Sequence, residues 1–177
     1  MARRELTGVL LVGGASRRFG SPKALARFNG KTFAEQAWGV LGEACDERLV
    51  FGKARDELPL PFPVHDDGSP VRAPLAGVVA GLRVARNEIC VFLPVDVPFA
   101  TAGLVRKLGE ACRDAAVPSS GPLPGAYSRN ALPVLERRLA AGELALRNAL
   151  GELDTVILEL DPGLLVNINA PEELTAL

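Results

Sequence analysis

Short unbroken apolar runs alternate along this chain with stretches in which apolar residues recur every three or four positions. The runs at 6–12, 48–51 and 88–93 lack polar–apolar alternation, as strands buried on both faces should. Between the first two, Thr32-Phe33-Ala34-Glu35 has the form of a capping box. Behind it Phe33, Ala37, Val40, Leu41 and Ala44 fall on one helical face. A short third strand is expected at 62–65 and a helix over 75–86. Leu104, Val105, Leu108, Ala111 and Cys112 mark the next helix. Strands are expected at 115–118 and 123–128, around a turn rich in Gly and Pro. Asn130 is positioned to cap a helix running through Leu139, and helical turns follow at 144–150. A late strand at 155–160 precedes Asn169-Ala170-Pro171-Glu172-Glu173, which has the Pro and acidic residues of a first helical turn.

Strand–helix alternation of this kind predicts a three-layer α/β/α, Rossmann-like domain with a mostly parallel central sheet. At 177 residues, one domain over 1–177 is expected. The segment 56–74 is polar and rich in Pro, and is expected to form an irregular loop on the ligand side of the sheet. The chain is 48% hydrophobic but only 5% aromatic, so its core must be built from Ala, Leu and Val. A net charge of -1 provides no basic field for duplex nucleic acid. No apolar stretch approaches the ~18 residues of a membrane span, and no secretory signal is expected at the start. Cys45, Cys90 and Cys112 are far apart and odd in number, without metal-ligand spacing. They are expected to be reduced, buried thiols in a cytoplasmic protein.

Candidate chemistry concentrates after the first strand. Gly13-Gly14 ends the run, and Arg17, Arg18 and Lys23 follow. Glycines let backbone N–H groups approach an anion, and the basic side chains add positive charge in the same place. The loop therefore suits phosphate. It fails as a P-loop, because five residues separate Gly14 from Gly20 and Ser21 stands where Lys is required. It also lacks the dinucleotide pattern G-x-G-x-x-G.

Asp96, in Leu93-Pro94-Val95-Asp96-Val97-Pro98, falls at the carboxyl end of a central strand, the edge where open α/β sheets bind ligands. It suits a Mg²⁺ ligand or, equally by spacing, a helix cap or turn. Asp66, after His65, suits a base N–H, a metal-bound water or a turn. Pro74-Leu75-Ala76-Gly77 opens a helix and offers backbone groups to a base edge. Asn167 and Asn169 share one side of an extended segment, by the strand period of two. No nucleophile–His–acid set exists. That fits transfer between charged reactants that need only positioning.

Leu11-Val12-Gly13-Gly14-Ala15-Ser16-Arg17-Arg18-Phe19-Gly20 with Lys23 resembles the L-A-G-G-x-S-x-R-M-G-x-x-K signature of nucleotidyltransferases. With Asp66, Pro74 to Gly77, Leu93 to Pro98, Tyr127 to Asn130, Arg147 and Asn167 to Leu174, the likeness narrows to the molybdenum cofactor guanylyltransferase family and spans nearly the whole chain. That resemblance implies transfer of GMP from GTP to the phosphate of the molybdopterin cofactor, with Mg²⁺ and release of pyrophosphate. It implies that Leu11, Val12, Gly13 and Gly14 contact GTP, with Gly52, Pro74, Leu75 and Gly77 also on the nucleotide. Lys23, with Arg17 or Arg18, would neutralise phosphates, Asp66 would lie at the guanosine, Asp96 would hold Mg²⁺, and Asn167 and Asn169 would face the acceptor. Transient contact with proteins that supply or receive the cofactor is implied as well.

The chain departs from the pattern in several places. Val12 replaces the usual Ala, Phe19 the usual Met, and Pro22 an acidic residue before the lysine. Gly52 stands where an Asn often contacts the nucleotide, which weakens the case for guanine over cytosine. A cytidylyltransferase or another nucleotidyltransferase of the same fold is the near alternative. A nucleotide-binding regulator without catalysis is the distant one.

Overall fold

A computed structural model of the chain describes residues 3–13, 20–170 and 172–173. Its centre is strand β1 (Leu6–Leu11), every residue of which is buried. The chain then forms a two-strand ribbon, β2 (Arg27–Phe28) and β3 (Lys31–Thr32), and helix α1 (Phe33–Ala44). The helix starts where the sequence places its cap. Glu35 N–H donates to Thr32 Oγ1, and Thr32 N–H donates to Glu35 Oε2 at 2.7 Å. Its buried face is Phe33, Ala34, Ala37, Leu41 and Ala44, with Val40 only partly covered.

Strands β4 (Glu47–Gly52) and β5 (His65–Asp66) follow, then helix α2 (Pro74–Val84) and strand β6 (Ile89–Pro94). Helix α3 (Ala102–Ala111) leads to strands β7 (Ala115–Pro118) and β8 (Gly125–Ser128). Helices α4 (Leu132–Ala140) and α5 (Leu146–Ala149) precede strand β9 (Thr155–Leu158). The seven-stranded sheet runs β5-β4-β1-β6-β8-β7-β9. All of its pairings are parallel except those of β8, which is antiparallel to both neighbours.

Alternate residues of the central strands enter two cores. Leu6, Leu10, Val91 and Leu93 face α1 and α3, while Val9, Leu11, Cys90 and Phe92 face α2, α4 and α5. The expected three-layer, mostly parallel architecture is therefore observed. Among the described residues no helix is long and apolar enough to cross a membrane.

Three local expectations need correction. The third strand is shifted to His65–Asp66, and Phe62 instead stacks on Trp38 with ring centroids 4.5 Å apart. Asn130 does not cap a helix. A 3₁₀ turn over Arg129–Ala131 passes directly into α4, so the residue at the cap position is Ala131 and no side chain caps the helix. The turn at 144–150 is a helix only over Leu146–Ala149, continued by a 3₁₀ turn at Leu150–Glu152.

Cys45, Cys90 and Cys112 are free and buried, and burial pushes each thiol up to about 12. Thiolate is then scarce at pH 8. A disulfide reagent is expected to modify the native protein at least about 100-fold more slowly than the denatured chain. Stopped-flow or timed absorbance measurements with and without denaturant will check this. Replacement Thr32→Ala leaves the Glu35 N–H without its cap and is expected to cost about 1 kcal/mol in urea unfolding.

Candidate functional site

The carboxyl ends of the parallel strands open onto one cavity of about 380 Å³. The sheet's hydrogen bonding continues past the strand ends and fixes its floor. Val12 N–H donates to Phe51 O at 3.0 Å, and Val95 N–H donates to Leu11 O at 3.1 Å. Ile168 N–H then donates to Asp96 O at 2.9 Å. Ile168 is buried, so its neighbours Asn167 and Asn169 are free to serve the cavity side. Three segments distant in sequence, after β1, after β6 and near the C-terminus, are thus fastened at one point.

Lys23 lies at that point. It opens a 3₁₀ turn at Lys23–Leu25 that is anchored by the buried Ala24. Its Nζ is 3.2 Å from Asp96 Oδ2 and 2.9 Å from Asn169 Oδ1. Lys23 and Asp96 are largely shielded, with side chains 17% and 28% exposed. Asp96 is not a helix cap. Thr101 has that role for α3, accepting from Leu104 N–H at 3.2 Å, which leaves the Asp96 carboxylate to the cavity.

The opposite end of the cavity lies beyond β4 and β5. There Lys53 and Asp67 form an ion pair at 2.6 Å. Arg72 pairs with Asp56 through two hydrogen bonds, one of 2.9 Å. Helix α2 closes one wall with Pro74 and Gly77. Gly77 is needed for this approach, because a Cβ there would lie 2.7 Å from Leu11 Cδ2. Leu123, in the β7–β8 loop, closes another wall.

Of the residues singled out in the sequence, Leu11, Val12, Gly13, Lys23, Gly52, Pro74, Gly77, Asp96 and Asn167 line the cavity, and Asn169 reaches it through Lys23. Leu75 does not, being fully buried against the sheet. Gly14, Arg17 and Arg18 lie outside the described residues.

Asp66 is not brought to the cavity wall either. One of its oxygens accepts from Ala54 N–H and the other from Gly68 N–H, each at 2.7 Å. These bonds hold its carboxyl below the usual range and tie up the turn. Its neighbour Asp67 lines the cavity instead. Asp67, Lys53 and Arg72 were missed. The adjacent Asp pair was the only cue, and the frame of a two-residue strand decides which of the two faces inward.

Gly52 and Val12 form a complementary pair. A Cβ on Gly52 would stand 2.8 Å from Val12 Cγ2, so the larger residue after β1 requires the smaller one on β4. Gly52→Ala is therefore expected to destabilise by about 1–3 kcal/mol. Adding Val12→Ala should recover most of that loss in a double-mutant cycle followed by urea unfolding.

Oxygen donors, a lysine at their centre and a mixed polar and apolar cleft suit an anionic, ring-bearing ligand. A family model described as the MobA-like NTP transferase domain matches residues 8–156. The chain is 35% identical over 181 residues to a probable molybdenum cofactor guanylyltransferase of Deinococcus radiodurans, covering 97% of this chain and 93% of that protein. It is 31% identical over 194 residues to a protein of the same description from Chloroflexus aggregans, covering 96% and 91%. Among solved structures, molybdopterin-guanine dinucleotide biosynthesis protein A of Archaeoglobus fulgidus superposes with a TM-score of 0.81 at 22% identity, over 96% of this chain and 95% of the other. The 2-C-methyl-D-erythritol 4-phosphate cytidylyltransferase of Thermus thermophilus gives 0.71 at 21% identity, over 95% of each. Both structural likenesses concern the fold. The match across most of the chain, together with relatives above 30% identity over nearly all of it, places this protein in the MobA-like NTP transferase family.

Proposed function

We propose that this protein is a molybdenum cofactor guanylyltransferase that moves GMP from GTP onto the terminal phosphate of the molybdopterin cofactor and releases pyrophosphate. The observation that carries the reading is the Lys23–Asp96–Asn169 cluster at the floor of a nucleotide-sized cleft, in a chain of this family. The triphosphate lies between the loop after β1 and the end of β6, where Lys23 is available to it.

An oxygen of the acceptor phosphate attacks the α-phosphorus of GTP in line. The new O–P bond forms as the bond from the α-phosphorus to the bridging oxygen breaks, and that electron pair leaves with pyrophosphate. The acceptor is ionised at neutral pH, so no general base is needed. Lys23 turns from Asp96 to the departing pyrophosphate and offsets its charge. Asn167 and Asn169 orient the acceptor, and Arg17 and Arg18 add positive charge at the phosphates. Gly13 and Gly14 give the phosphates access to backbone N–H groups, and Gly52, Pro74 and Gly77 shape the nucleoside end.

The donor set fits Mg²⁺. Asp96 and Asn169 offer hard oxygens that Lys23 already draws around one positive charge. Among the described residues no cluster of three or more His, Cys, Asp or Glu is present. One carboxylate with substrate phosphates is a sufficient set for Mg²⁺, which keeps much of its water. Asp96 would hold the ion, and a bound Mg²⁺ would supply charge neutralisation at the phosphate oxygens.

Incubation with Mg²⁺, molybdopterin cofactor and each of GTP, CTP, ATP and UTP tests the assignment by chromatography of the dinucleotide product. Product from GTP is expected, and product from CTP in its place would identify a cytidylyltransferase. Nucleotide binding without any pyrophosphate release would identify a regulator. Lys23→Ala is expected to lower the rate by about 10²–10³. Asp96→Asn should abolish Mg²⁺-dependent turnover while thermal unfolding stays close to that of the parent. Full activity of a folded Asp96→Asn protein would remove the metal role.

A further inference from the structure

Lys53 is a buried lysine in the wall of the cleft. Its side chain is 6% exposed and that of its partner Asp67 is 7% exposed. The two meet because β4 and β5 pair with Gly52 opposite Asp66, so each is the next residue beyond a matched strand end. Asp67 N–H donates to Gly52 O at 3.1 Å and holds that register one residue further.

The polar atoms of the pair are partly used. Lys53 Nζ donates to Asp67 Oδ1 and to Ser69 O, both at 2.6 Å. Asp67 Oδ1 also accepts from Ser69 N–H at 2.9 Å. An ammonium has three donors, so one remains. Among the described residues, Asp67 Oδ2 has no hydrogen-bond partner. Both residues line the cavity. A buried ion pair adds little stability over well-packed apolar residues, because desolvation offsets the attraction. Its place in a ligand cleft, with one donor and one acceptor left over, calls for a ligand.

Position identifies which part of the ligand. Asp96 lies beyond β6, with β1 between β6 and β4. Strands are spaced about 4.8 Å apart, so Lys53 and Asp67 stand about 10–15 Å across from Asp96. A nucleotide with its phosphates at Lys23 extends its base in that direction. Gly52 has no side chain to offer the base, and Val12 Cγ2 occupies the space of a Cβ there.

We infer that Lys53 is a base-selecting residue. Its remaining N–H donates to the 6-oxo oxygen of a purine, and Asp67 Oδ2 accepts from the adjacent ring N1–H. A 6-aminopurine would present a donor to the ammonium and an unprotonated N1 to the carboxylate, opposing both contacts. The pair selects 6-oxopurines, so hypoxanthine is accepted with guanine. This assignment rests on the proposed guanylyltransferase reading and names the contacts by which that site selects its base.

Calorimetric titration of the intact chain with GTP, ITP, ATP and CTP tests it. The parent protein is expected to bind ITP within about 10-fold of GTP, and ATP about 100-fold more weakly. Lys53→Met leaves a buried carboxylate unpaired, so the double variant Lys53→Met, Asp67→Asn is measured beside it, with folding checked by circular dichroism. In the folded double variant the GTP-to-ATP preference is expected to fall below about 10-fold, because both opposing contacts are gone, and a folded single variant, which keeps the Asp67 contact, is expected to fall between it and the parent. An undiminished preference in the folded double variant would overturn the assignment, as would failure of ITP to bind a parent protein that binds GTP. A parent that binds no nucleoside triphosphate would overturn the functional reading itself, and a parent that prefers CTP or ATP would overturn both.

Discussion

Strand β1 is held by parallel partners on both edges, β4 on one side and β6 on the other. Helices cover both of its faces. Among the described strands only β1 combines parallel partners on both edges with burial of every residue. Because both partners run parallel to it, all three strands end at one edge, and the chain must leave there in three successive loops. The α1 crossover takes the chain to one side of β1 and the α2 crossover takes it to the other. The crevice between those departures is the cavity. Lys23, Gly52 and Asp96 meet there as a consequence of strand direction, before any contact among them is counted.

The sequence revealed those features that depend on local burial. An unbroken apolar run closed by Gly13-Gly14 and another closed by Pro94-Val95-Asp96 mark strand ends, and the ends share an edge in any right-handed parallel fold. The Thr32–Glu35 box and the alternation at Asn167 and Asn169 were legible for the same reason, since each depends only on near neighbours. Lys53 was not legible. A lysine after a strand is ordinarily solvated, and its burial depends on Asp67, brought alongside by lateral register. Asp66 and Asp67 differ only in strand frame, and β5 is too short to show a period. Asn130 obeys the capping rule in composition but loses the position to the 3₁₀ turn at Arg129–Ala131.

Among the described residues three cations line the cleft, Lys23, Lys53 and Arg72, and each faces a carboxylate, Asp96, Asp67 and Asp56. These three cations are therefore compensated by their own partners. On the proposed function, a polyphosphate would exchange partners within these pairs. The most exposed of these cations, Arg72, can exchange most readily. The most buried, Lys53, stays with Asp67 and offers only its spare donor.

The one antiparallel strand of the seven-stranded sheet has a separate consequence. Since β8 returns directly from β7, the connection at the ligand edge is a hairpin loop rather than a crossover helix, tied to α5 by Arg147, whose Nη2 donates to Ser120 O at 2.9 Å. Leu123 within that loop forms part of the cavity wall. A crossover helix could not change length without shifting the core, whereas this loop can. The aperture beside Leu123 is thus adjustable by insertion or deletion while the side beside β1 stays fixed. On the proposed function, change of acceptor and retention of donor would be mechanically separable.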